Sequence, residues 1–239
     1  MIAMENKMSN KEKWIDLHKH AIINDERLEP TEAIQKILND KNKGFASEKN
    51  IVLEIGCGFG RNIKYLLDNH YSDKIIGIDQ TLEVVSKAQI VLRNYIEDGK
   101  CLLYIMDAGK KIDMPDNSID VVFDIMSAIT FIIDEDDRKR YWTEIKRILK
   151  PKGIFYFLTV RAEGKILDSV EGSNDVNTGT FQRKFDGMKE KSYSEEEIFS
   201  FTEGFEKKEL SILSNHYRAF GDREFVRIDG FWFGAFVKR

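Results

Sequence analysis

Ile51-Val-Leu-Glu-Ile-Gly-Cys-Gly-Phe-Gly-Arg-Asn62 is the stretch on which the fold turns. The apolar run Ile51–Ile55, rich in β-branched residues and ended by glycine, reads as a short buried strand. Gly56, Gly58 and Gly60 then supply a backbone that tolerates positive φ and lets a ligand come close. Ile63, Leu66 and Leu67 follow at helical spacing. Strand, glycine turn and helix thus come in succession. A dinucleotide fingerprint would read G-x-G-x-x-G, whereas here the spacing is G-x-G-x-G and Arg61 takes the last place. Glu54, two residues before the first glycine, would repel a pyrophosphate and attract a cationic ligand.

Working outward, strand-like and helix-like stretches alternate, which predicts an open sheet of mostly parallel strands. Lys74–Asp79 is the second strand, and Thr81 is placed to cap a helix carrying Val84, Val85, Ala88, Val91 and Leu92. Residues 102–106 and 119–123 are the third and fourth strands. Tyr141, Trp142, Ile145, Ile148 and Leu149 mark an amphipathic helix that stops at Pro151 with Gly153 close behind, and residues 154–160 form the fifth strand. Asp79, Asp107 and Asp124 each close a strand, so three carboxylates gather on one sheet edge, where open α/β sheets bind ligands. An aspartate ending the second strand can accept both hydroxyls of a ribose.

These residues resemble the class I S-adenosylmethionine-dependent methyltransferases, in particular the type 11-like methyltransferase domain. Glu54-Ile-Gly-Cys-Gly-Phe-Gly60 is similar to motif I of that family. The resemblance runs on through Gly77-Ile-Asp79-Gln-Thr, Asp107-Ala108, Met114-Pro-Asp-Asn-Ser-Ile-Asp-Val-Val-Phe-Asp124 and Glu144-Ile-Lys-Arg-Ile-Leu-Lys-Pro151-Lys-Gly153, covering residues 48–160. Lys152 stands where the family usually has glycine, and Ile119 where an aromatic is frequent. The resemblance implies a Rossmann-like, doubly wound sheet of seven mostly parallel strands and S-adenosylmethionine as cofactor. It implies that Gly56, Gly58 and Gly60 border the methionine and ribose portions, with Cys57 and Asn62 among the contacts and Glu54 positioning that end. Asp79 would hold the ribose hydroxyls and Gln80 flank the adenine. Asp107 would meet the adenine amino group beside the Ala108 backbone. Asp124, with Ile125 and Met126, would lie near the methyl group. Trp14 and Arg27 are expected to cap the methionine end.

The chain has 239 residues, 42% hydrophobic and 33% charged, the balance of a globular protein and not of a disordered one. One methyltransferase domain is expected over 1–239. It divides into a helical cap (1–50), a cofactor-binding core (51–160), a lid or loop (161–192), and a closing helix with two strands (193–239). Phe231-Trp-Phe233 is expected in the sheet core, and Ser194 with Glu197 forms a capping-box pattern. The longest apolar run, 125–133, is far short of the roughly 18 residues a membrane helix needs. No secretion signal opens the chain, and Cys57 and Cys101 form no disulfide framework or metal-ligand spacing, so a cytoplasmic protein without metal is expected. A net charge of −4 gives no electrostatic footprint for nucleic acid. The cluster Arg138, Lys139, Arg140, Lys146 and Arg147 is expected on a solvated helix face.

Methyl transfer asks chiefly for in-line positioning and exclusion of water, with a base only where the acceptor arrives protonated. Tyr193, His216 and Tyr217 are the candidates, and no catalytic residue is assigned. After the fourth strand stands Asp124-Ile-Met-Ser127, with no Asn/Asp-Pro-Pro-Tyr/Phe motif for amino groups of bases. A small-molecule acceptor is therefore favoured over tRNA or protein. A non-catalytic S-adenosylmethionine-binding module and a nicotinamide dehydrogenase are the other readings; Arg61 and Glu54 count against the last.

Overall fold

A computed structural model describes residues 8–19, 21–23, 28–39, 47, 49–163, 165–166, 179–183, 186–219 and 223–239. The described helices are α1 (Asn10–Lys19), α2 (Glu32–Asn39), α3 (Arg61–Asp68), α4 (Leu82–Val91), α5 (Arg93–Glu97), α6 (Ala128–Phe131), α7 (Glu135–Ile148) and α8 (Glu195–Phe201). The strands are β1 (Ile51–Ile55), β2 (Lys74–Asp79), β3 (Cys101–Ile105), β4 (Ile119–Ile125), β5 (Leu149–Arg161), β6 (Lys165–Ile166), β7 (Thr180–Gln182), β8 (Lys189–Tyr193), β9 (Phe205–Ala219) and β10 (Arg223–Lys238).

The alternating βα pattern folds as its periodicity dictates. β1 pairs in parallel with β2 and β4, β2 with β3, and β4 with β5, so β1 lies at the centre of the parallel body. β10 then joins β5 antiparallel, placing Phe231 opposite Val160 and Val237 opposite Ile154, and β9 joins β10 antiparallel. These seven strands build the expected doubly wound sheet. Three others add to it: β8 pairs with the end of β5, β7 with β8, and β6 with β10. Apart from Tyr193 at the end of β8, they fall within the stretch 161–192, so that stretch is not loop throughout; residues 164, 167–178 and 184–185 lie outside the described ones.

Strand residues alternate between two apolar layers. Val52, Ile75, Val121 and Phe123 pack with Ile34 and Ile37 of α2 and Ile63 and Leu66 of α3. Leu53, Ile55, Ile76, Ile78 and Val122 pack with Tyr141, Trp142, Ile145 and Ile148 of α7. Phe231, Trp232 and Phe233 are buried in the sheet as expected. The Ser194–Glu197 capping box is present in full at α8. Two local expectations are corrected. Thr81 stands at the N-cap of α4, but its hydroxyl donates to Asp79 Oδ1 at 3.4 Å instead of accepting from the helix. Arg138 is buried, not solvated: its guanidinium donates to the carbonyl oxygens of Ile132 and Ile133, just ahead of Asp134, the N-cap of α7.

Candidate active site

The carboxyl ends of β1, β2 and β4 open into a cavity of about 1160 Å³. Its floor is the glycine turn. Gly56 N–H and Cys57 N–H both donate to the Ile78 carbonyl oxygen, at 2.8 and 3.0 Å, which ties the turn to the neighbouring strand. Gly56, Gly58 and Gly60 have φ of 68°, 55° and 83°, where side chains are strained. At Gly56 a Cβ would stand 1.5 Å from Ser127 Oγ, so glycine is what lets the β4 loop close over the turn. At Gly58 a Cβ would meet nothing within 4 Å, and the bare backbone faces open space.

Asp79 ends β2 beside this turn. Its carboxylate accepts from Gly58 N–H at 3.3 Å and Thr81 N–H at 3.2 Å, yet burial still pushes its pKa up. Gln80, Asp107 and Ala108 line the same wall, and Asp107 Oδ1 accepts from Gly109 N–H at 2.9 Å. Of the expected contact residues, Gly56, Cys57, Gly58, Asn62, Asp79, Gln80, Asp107 and Ala108 reach the cavity wall. Burial holds the Cys57 thiol protonated, raising its pKa well above the ordinary value, which suits a space-filler and not a nucleophile.

Glu54 and Gly60 lie behind that wall, and so does Asp124. Glu54 is buried on β1, where Oε1 accepts from Asn62 Nδ2 at 2.7 Å while Oε2 has no partner. Asn62 Oδ1 in turn accepts from the backbone N–H and the hydroxyl of Thr31. Glu54 is therefore the base of a relay from the strand, through α3, to the segment before α2. Burial raises its pKa to about 8, opposed by the Asn62 hydrogen bond and by the Arg61 charge. The expectation for Asp124 is corrected. It is wholly buried, and its carboxylate accepts from the Tyr141 hydroxyl at 2.7 Å, Ile129 N–H at 2.9 Å and Ser127 N–H at 3.1 Å. It anchors the β4 loop and α6 from beneath. Ile125, Met126 and Ser127 are the cavity-facing residues there, with Met126 held at a φ of 55°.

The roof is α1, which the amphipathic pattern of Trp14 and Leu17 locates only partly. Asn10 clasps β8: its Nδ2 donates to the Lys189 and Phe131 carbonyl oxygens, and its Oδ1 accepts from Lys189 N–H at 2.9 Å. At the other end Lys87 Nζ of α4 donates to the carbonyl oxygens of His18 and Ala21. Trp14 packs edge-on against Phe131 at 5.0 Å and stacks on His18 at 5.1 Å. Arg183, whose guanidinium is satisfied by Asp186 and Glu190, lies over the rings of Trp14 and Phe131. Sequence reading missed His18, Phe131 and Arg183; only His18 had a signal, four residues after Trp14 on the same helical face. Of the candidate bases, Tyr193 is wholly buried and its hydroxyl donates to the Ile129 carbonyl oxygen at 2.8 Å. The side chains of His216 and Tyr217, and all of Arg27, lie outside the described residues.

No curated protein matches the chain by sequence. Solved structures share its fold. A methyltransferase of Methanosarcina mazei, described as S-adenosylmethionine-dependent, is similar at 18% identity and a TM-score of 0.66, over 83% of this chain and 96% of that one. One from Aquifex aeolicus is similar at 18% identity and 0.60, over 98% and 100%. The 1,6-didemethyltoxoflavin-N1-methyltransferase of Burkholderia thailandensis, solved with bound 1,6-didemethyltoxoflavin and S-adenosylhomocysteine, is similar at 13% identity and 0.61, over 87% and 77%. Residues 53–157, which carry the glycine turn and the aspartate-ended strands, match the family described as a methyltransferase domain. Through them the chain carries a methyltransferase domain in the fold of the class I S-adenosylmethionine-dependent methyltransferases, an enzyme domain with S-adenosylmethionine as its cofactor.

Proposed function

We propose that this enzyme methylates a small molecule, and that its cofactor lies on the floor of the cavity beneath α1. The residues present fit that cofactor. The open backbone edge at Gly58 leaves room for its chain, and Asp79, a carboxylate on the cavity wall at the end of β2, is placed to accept from two ribose hydroxyls. Gln80, Asp107 and Ala108 would hold the adenine end, and Gly56, Cys57 and Asn62 the methionine end. Glu54 would act from behind by fixing Asn62. The bound cofactor supplies a methyl group on a sulfonium, already electrophilic; the protein's part is to bind, orient and exclude water.

The observation that carries the small-molecule reading is the roofed cavity. At about 1160 Å³ it slightly exceeds the roughly 300–1,000 Å³ of a pocket for one drug-sized ligand, leaving space for a compact second molecule beside the cofactor. That space is walled by Trp14, Phe131, Met126 and Leu158 and partly covered by α1, a concave cleft and not a flat platform. The structurally similar 1,6-didemethyltoxoflavin-N1-methyltransferase of Burkholderia thailandensis, named for a small molecule, supports the same reading. Purified enzyme with methyl-labelled cofactor is expected to label members of a broad small-molecule panel. Label entering only bulk RNA or protein would overturn the proposal.

A further inference from the structure

We infer that the methyl acceptor is a small organic acid, and that Lys13 of α1 and Gln182 of β7 hold its carboxylate. The inference rests on the small-molecule reading above and names the class of molecule. Lys13, Gln182 and Lys189 all line the cavity on its roof side. The Lys13 ammonium reaches from α1 to donate to the Gly187 carbonyl oxygen. Gly187 has a φ of 65°, and a Cβ built on it would stand 3.2 Å from Lys13 Nζ and 3.2 Å from Gln182 Nε2. Two donors therefore flank one point, which glycine keeps clear. Gln182 is the register partner of Lys189 across β7 and β8, so those two side chains stand side by side on one face.

The protein leaves these donors unspent. Lys13 gives one of three ammonium hydrogens to Gly187, and among the described residues neither Lys13 nor Lys189 has a carboxylate partner. The Gln182 amide has no partner there either. Nearby carboxylates are committed: Asp186 to Arg183 and the Met188 N–H, Glu190 to Arg183, and Glu12 to Ser9. Asp134 caps α7, and Asp137 is paired with Lys110 and Arg140. Lys13 and Gln182 are half-buried, so a group that only accepts completes them best, and a carboxylate brings two oxygens for a charge-assisted pair. Asp79 and Asp107 on the floor repel an anion and turn it toward this corner. Trp14, next to Lys13 on α1, packs against Phe131, and the two rings offer a surface for the body of such an acid.

Two measurements decide it. Enzyme loaded with S-adenosylhomocysteine is titrated calorimetrically with sodium benzoate and with benzamide, which share a ring and differ in charge. Benzoate should bind at least about tenfold more tightly. Lys13→Met should erase that preference with S-adenosylhomocysteine affinity within twofold of the parent, Lys13→Arg should keep it, and Gln182→Leu should reduce it. Equal binding of the two probes, or a preference that survives Lys13→Met, would overturn the inference. In the labelled acceptor panel, carboxylic acids should show a kcat/KM at least about tenfold above their primary amides, and Lys13→Met should act through KM with little change in kcat. Label confined to neutral members would refute the acid site and leave the small-molecule reading standing. Label confined to RNA or protein would end that reading, while the benzoate titration still decides the site.

Discussion

Asp79 concentrates the residue-scale chemistry. It accepts from two backbone N–H groups and yet has its pKa raised by burial, so a ligand that donates to it gains charge-assisted hydrogen bonds. Asp79→Ala is expected to weaken S-adenosylmethionine binding by at least ~1 kcal/mol in calorimetry with the fold intact. Unchanged affinity would remove the ribose assignment. Glu54 and Asp124 make a pH prediction. Burial raises Glu54 from 4.5 to about 8 and Asp124 from 3.8 to about 7. Between those limits the folded state keeps protons that the unfolded state has released. The stabilisation is therefore full below the unfolded pKa values and is lost as the pH rises through about 7 to 8. Glu54→Gln, which keeps an acceptor for Asn62, should match the parent's melting temperature near pH 5 and exceed it by a few degrees at pH 8. A constant offset across that range would contradict the buried-acid assignment. Lys152, exposed and held at a φ of 67°, occupies the position where the resemblance expected glycine. Lys152→Gly should stabilise the protein by about 1 kcal/mol, read as a rise of roughly 2–4 °C in Tm.

At the scale of elements, the parallel strands were legible because buried β-runs ending in Gly or Asp leave a strong local signature, and the glycine turn and its aspartates follow from them. Asp124 was misplaced because sequence gives the strand end but not the direction of the side chain there. In the structure its carboxylate turns under the loop to meet Tyr141, 17 residues away, a pairing that only packing reveals. The roof was illegible for a related reason: Asn10 meets Lys189 across 179 residues, and nothing in local periodicity announces such a contact. α8, whose capping box is local, was readable in full. The clasp makes its own prediction. Asn10→Ala removes three hydrogen bonds between α1 and its support, each worth about 1 kcal/mol net. Amide exchange across α1 should then quicken tenfold or more, while β1 and β4 keep their protection. Equal loss in both would mean that the roof does not open independently.

Taken whole, the molecule is a mostly parallel sheet whose strand ends converge on one cavity, floored by glycines and partly covered by a helix tied at both ends. Acidic side chains, Asp79 and Asp107, face the floor, and aromatic ones, Trp14 and Phe131, face the roof, so the two halves of the chamber suit a polar nucleoside and a less polar neighbour. The proposal for that cavity is that its floor receives S-adenosylmethionine and not a dinucleotide. Calorimetric titration of the purified protein with S-adenosylmethionine, S-adenosylhomocysteine and NAD tests that most directly. The two sulfur nucleosides are predicted to bind one per chain, with NAD giving no heat of binding. Binding of NAD alone, or silence with all three, would contradict the account.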